Sequence, residues 1–194
     1  MKKLTRADLY SLEKYAELRP QFRAQVIAHK KNRKVMIGPN ATLYFEDRLT
    51  MQYQVQEMLR IERIFETAGI NEELESYNPL IPDGSNWKAT FMVEFPDENE
   101  RREVLKRLKG IENKIWAQVQ GFDPIRPVAD EDIAREDQEK TSSVHFLRFE
   151  LTAEMALAVK RGAAVSMGID HSAYTHKIEP VPQGVRDSLA ADLT

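Results

Sequence analysis

Between residues 166 and 180 the chain reads SMGIDHSAYTHKIEP, which brings Asp170, His171, Tyr174 and His176 close together. Those residue types can do acid–base chemistry: a carboxylate orients an imidazole, the imidazole moves a proton, and a phenol donates a hydrogen bond. On a straight strand, however, neighbouring side chains point to opposite faces, so Asp170 and His171 diverge. His171 and His176 differ in parity too. A turn at HSAY removes the obstacle, since aspartate and serine readily terminate strands. His171 is therefore the candidate general acid/base, with Asp170 or Glu62 orienting it and Tyr174 as donor. His171 with His176 is the candidate metal pair, although neither a His-x-x-x-His nor a Glu-x-x-His spacing occurs.

Two further polar residues sit on an apolar strand, SVHFLRFEL (143–151). His145 shares parity with Leu147 and Phe149, and Arg148 shares it with Val144 and Phe146. A guanidinium among apolar neighbours needs a carboxylate or an anionic ligand. The reading is a small anion held near Arg148 and His171, with Glu62, His145 and Arg60 as supporting residues. Glu62 falls on the same helical stripe as Met58 and Phe65, where a lone buried carboxylate costs several kcal/mol. A partner from another element is expected for it.

Composition excludes much. The chain has 194 residues, no cysteine and four histidines. Disulfides, thiolate nucleophiles and iron–sulfur ligation by this chain are therefore absent, and no cofactor is implied. A net charge of −3 provides no basic field for nucleic acid or anionic membrane. No apolar run approaches a membrane span, and the basic N-terminus lacks the apolar core of a signal peptide, so a cytoplasmic protein is expected. HKKNRK (29–34) reads as a helix C-terminus whose cations complement the macrodipole, not as a phosphate site.

The elements that must position these residues follow from periodicity. A capped N-terminal helix is interrupted or restarted at Pro20, and a hairpin spans 34–47 around Gly-Pro-Asn-Ala. One long helix is expected from Leu49 to Ala68, closed by Gly69, with Met51, Val55, Met58, Leu59 and Phe65 buried. Strand–helix–strand patterns recur in the second half, FMVEFPDENERREVLKRLKG beside FLRFELTAEMALAVKRG. Repetition of that unit predicts an α+β fold with an antiparallel sheet and a ferredoxin-like βαββαβ core. Residues 1–87 form an N-terminal extension of helices and hairpin, and residues 88–194 form the core with a C-terminal helix. The stretch 121–142 between the two units, proline-bearing and then acidic, reads as a solvated loop or frayed helix and not as a partner-binding arm.

The phrases GPNATLYFE, QEMLRIERI, YNPLIP, LRFELT, GIDHSAY and SLAADL together resemble an uncharacterised bacterial family carried as a domain of unknown function. Its members are often encoded beside rubrerythrin-type proteins and iron–sulfur oxidoreductase subunits. The resemblance implies a setting in oxidative stress or redox metabolism and a partner of one of those two kinds. It carries over no catalytic residue. The resulting expectation is an accessory or binding protein that docks to a partner, or to itself as a homo-oligomer, through the 49–68 helix. The competing expectation is an enzyme built on His171.

Overall fold

The computed structural model describes residues 2–129 and 141–194. Of the stretch 121–142, read above as a solvated loop or frayed helix, Val128–Ala129 form a strand paired with Arg148 and Leu147, and residues 130–140 lie outside the described residues. Ser11 opens helix α1 (Leu12–Lys30) by accepting from the Lys14 N–H. This helix runs through Pro20 and does not break there. Tyr15 lies before the proline, and Phe22 and Val26 after it, in one buried cluster with Leu49 and Tyr53. Packing on both sides outweighs the missing backbone hydrogen bond.

Strands β1 (Lys34–Met36) and β2 (Ala41–Glu46) form the expected hairpin. Asp47 then caps helix α2 (Arg48–Ile61), accepting from the Thr50 N–H while the Thr50 hydroxyl reciprocates to the Asp47 N–H. The expected single helix to Ala68 is not formed. Arg63 adopts a left-handed φ of 55°, and the Ile64 N–H reaches back to the Leu59 carbonyl. That is a Schellman ending with arginine where glycine is usual. The chain folds back as α3 (Thr67–Tyr77), so that Ile70 and Leu74 pack against Met51, Val55 and Leu59. As a consequence Phe65 is not buried but 69% exposed, and Ile61 is 57% exposed.

The second half contains β3 (Asn86–Val93), α4 (Glu98–Arg107), β4 (Ile115–Val119), the short β5 (Val128–Ala129) and β6 (Val144–Glu150). It continues with α5 (Ala153–Lys160), β7 (Val165–His171), β8 (Tyr174–Ile178) and α6 (Gln183–Ala190). The strand–helix–strand repeat is present as β3-α4-β4 and β6-α5-β7. The units do not combine into a single ferredoxin-like sheet. One sheet has the order β1-β2-β3-β6-β5 and the other β4-β7-β8, with antiparallel neighbours throughout. The reason lies in the edges. β2 and β6 occupy the two sides of β3, while β3 and β5 occupy those of β6, leaving no edge for β4 or β7. Each strand of the first unit instead pairs with its counterpart in the second, β3 with β6 and β4 with β7.

Both sheets contribute to one core. Phe45, Trp87, Phe91 and Phe149 meet Ile115, Met167 and Ile169, with Val159 from α5 and Leu189 from α6. The boundary drawn at residue 87 falls inside β3, whose sheet neighbour β2 belongs to the N-terminal part. Among the described residues no helix is long and apolar enough to cross a membrane.

Candidate functional site

HSAY does turn. β7 ends at His171, β8 begins at Tyr174, and the two residues pair directly across a Ser172–Ala173 connection. The turn leaves Asp170 and His171 on opposite faces. Asp170 is exposed and pairs with Arg126 at 3.1 Å. His171 is buried, accepting from the Ala173 N–H at Nδ1 (3.1 Å) and donating from Nε2 to the Lys109 carbonyl (3.2 Å). Both ring nitrogens are thus engaged by backbone groups. This arrangement fixes a tautomer and closes the hairpin.

The phenol of Tyr174 donates to the Ile37 carbonyl (2.8 Å) and accepts from the Asn40 N–H (3.1 Å). It thereby clamps the β1–β2 turn, and burial raises its pKa above the usual phenol value. His176 is exposed and lies beside it, the rings tilted at 58° with centres 4.6 Å apart. Gly38 lies under both rings at φ 74°. A β-carbon there would come within 2.6 Å of the imidazole and 2.7 Å of the phenol oxygen, so the close approach requires glycine. Among the described residues no group of three or more histidines and carboxylates could hold a metal.

Arg148 lies in the other sheet, opposite Lys88 on one side and Val128 on the other, and pairs with Glu150. His171 and Arg148 are not brought together. His145 is buried on the opposite face from Arg148, with Nε2 at 3.0 Å from both the Thr141 hydroxyl and the Ser142 carbonyl, and Glu112 at 3.8 Å. Glu62 is a correction: it caps the C-terminus of α2 in solvent, away from the buried stripe, because the helix ends there. Arg60 is exposed and pairs with Glu57 at 3.3 Å.

Glu57 is the carboxylate on α2 that matters. It takes a bidentate fork from Arg19 (2.7 and 2.8 Å) and the hydroxyl of Tyr15 (2.7 Å), tying α1 to α2. The Arg19 guanidinium, helped by Tyr15 and Arg60 against the cost of burial, holds its pKa down at about 2.

The most buried polar cluster is one that sequence reasoning missed. Arg33, read as one of the cations at a helix C-terminus, is only 2% exposed. Its Nε donates to the Phe45 carbonyl, and one terminal nitrogen donates to the Glu46 carbonyl and to Asp192 at 2.6 Å. The other terminal nitrogen reaches Ser188. Asp47, 3.4 Å from Arg33, also holds His29 at 2.5 Å. Burial pushes the Asp192 carboxyl up to about 6 even against the pull of Arg33. No local pattern announces this cluster, since its members come from residues 29–33, 46–47 and 188–192. Among the described residues, no buried side-chain nitrogen or oxygen lacks a hydrogen-bond partner.

Fold and site together define a mixed α/β protein with, among the described residues, two antiparallel sheets and six helices, and with a buried polar cluster around Arg33. Residues 3–193 match a family described as protein of unknown function (DUF3501), and the chain belongs to that family. It is also similar to the crystal structure of a novel protein of unknown function from Burkholderia pseudomallei K96243. That match has 49% identity and a TM-score of 0.95 and covers 100% of both chains. No curated protein matches the chain.

Proposed function

We propose that the protein is a cytosolic accessory protein that docks to a partner of a redox or oxidative-stress system through the corner between α2 and α3. The observation that carries this reading is the exposure of Phe65 and Ile61 at a corner fixed by the Schellman ending at Arg63. A rigid protrusion with two large apolar side chains flanked by Arg60 and Arg63 suits an interface anchor. The redox setting rests on the sequence resemblance, which points to a rubrerythrin-type or iron–sulfur oxidoreductase partner. A chain without cysteine brings no thiolate or iron–sulfur ligand of its own, so the electron chemistry would lie with that partner. Catalysis at His171 is less well supported, because backbone groups engage both ring nitrogens and Arg148 lies in the other sheet.

The test is sedimentation velocity of the purified protein, alone and mixed with the rubrerythrin-type and iron–sulfur oxidoreductase proteins of the same genome. The expected result is a complex with one of these. I61D/F65D should weaken it at least about tenfold while leaving the circular dichroism spectrum unchanged, since two anchors of this kind are worth more than 1.4 kcal/mol. Failure of the wild type to associate with either protein, or an unaffected double variant, would overturn the proposal.

A further inference from the structure

A second feature stands apart from that corner. Between the turn at residues 39–40 and helix α4 lies an open groove of about 470 Å³, within the range of small-molecule sites. Pro39, Met92, Phe95 and Pro96 supply apolar walls, and Glu94 and Arg101 supply opposite charges. The walls are preorganised. Tyr174 clamps the turn from behind, and Asn40 is bound to the end of β3 through both its backbone and its side chain (Glu94 N–H to Asn40 O at 2.7 Å, Asn40 Nδ2 to Glu94 O at 3.0 Å). A site that is already ordered loses less entropy on binding.

The two charges line one groove yet do not neutralise each other. The Thr42 hydroxyl holds Glu94 through Oε2 (2.8 Å), and Oε1 has no protein partner among the described residues. Arg101 is half-buried, and among the described residues its guanidinium has no ion pair or hydrogen bond. A phosphate dianion would meet only one cation here and a carboxylate beside it. A ligand carrying both charges on one small apolar body satisfies both groups, and a guanidinium matches a carboxylate with two parallel hydrogen bonds.

We propose that this groove binds a free zwitterionic amino acid with an apolar side chain, its carboxylate on Arg101, its ammonium on Glu94 and its side chain against Pro39, Phe95 and Pro96. The test is a titration of the isotope-labelled protein with L-phenylalanine and L-leucine, followed by amide chemical shifts. 3-Phenylpropionate, which lacks the ammonium, and phenethylamine, which lacks the carboxylate, serve as controls. Saturable shifts are expected at Asn40, Glu94 and Ser143, with each singly charged control about tenfold weaker or more, the worth of one charge-assisted contact. Arg101→Gln and Glu94→Gln should each weaken L-phenylalanine by a similar factor with the remainder of the spectrum unchanged. The absence of saturable shifts with either amino acid would overturn the assignment. So would equal binding of 3-phenylpropionate, or an Arg101→Gln variant that binds as the wild type does. I61D/F65D should bind L-phenylalanine normally, which separates this site from the docking corner.

Discussion

Arg33 and Asp192 form an ion pair in which both partners are 2% exposed, and its consequences are readable in solution. The folded state raises the Asp192 pKa from its ordinary 3.8 to about 6, so it holds the proton more tightly than the unfolded chain does. The stability this supplies is fully present below about pH 4 and is lost as pH rises through about 6, a change of about 3 kcal/mol. Asp192→Asn should abolish that dependence. At pH 7 the variant should be no less stable than the wild type, because the neutral amide stands in for the protonated carboxyl while Asp47 and the Phe45 and Glu46 carbonyls still face Arg33. Urea midpoints from pH 4 to pH 8 would show both effects, and a profile parallel to the wild type would refute them. Glu57 has the opposite sign. Its pKa is held down at about 2, so its contribution is present above its ordinary 4.5 and is lost as pH falls toward 2. Glu57→Gln should cost on the order of 1–2 kcal/mol at pH 7, and the gap from the wild type should close below about pH 4.5. Neither residue could be ranked from the sequence. Arg33 sits among other cations that are exposed, and Asp192 lies in a small-residue tail; only the fold brings them together.

At the scale of elements, Arg63 carries the α2–α3 corner in a conformation that costs an L-residue roughly 1 kcal/mol. Arg63→Gly should therefore stabilise the protein by about 0.5–1 kcal/mol, visible as a rise in thermal midpoint, whereas Arg63→Val should lower it. Gly168 pairs with Trp116 across β4 and β7, and a β-carbon there would intrude on the indole. Gly168→Ala should cost about 1–3 kcal/mol, measured by chemical denaturation. The strands were legible because alternation is a local signal: Ala89, Phe91 and Val93 alternate with more polar neighbours and turn inward, as do Leu147 and Phe149. The repeat was legible for the same reason. Which strands pair was not, because edge occupancy depends on β2 and β5, which lie outside the repeat. The helix end at Ile61 was missed because arginine does not signal a left-handed residue, and Gly69 offered a more conventional stop. The turn at HSAY was legible as a possibility that would bring the polar groups together, but the two backbone groups that engage His171 leave no mark on side-chain patterns.

For the whole molecule, Tyr174 is the point where the three-stranded sheet holds the hairpin of the five-stranded one. Tyr174→Phe removes two hydrogen bonds and should lower global stability by about 1–2 kcal/mol while speeding amide exchange at Asn40. Loss of global stability with unchanged exchange at Asn40 would show that the clamp does not act on that turn. The same long-range stitching orders events in time. Trp87 donates its indole N–H to the Leu189 carbonyl, Arg33 waits for Asp192, and the Thr194 N–H closes on Gly84. A chain emerging from the ribosome can form α1, the hairpin and the α2–α3 pair early, since those contacts are near in sequence. It cannot complete the contacts of Trp87, Arg33 and Gly84 until residues 185–194 have cleared the exit tunnel. A nascent chain arrested at residue 180 should therefore stay protease-sensitive around Trp87, and should gain protection there once residues 185–194 are present.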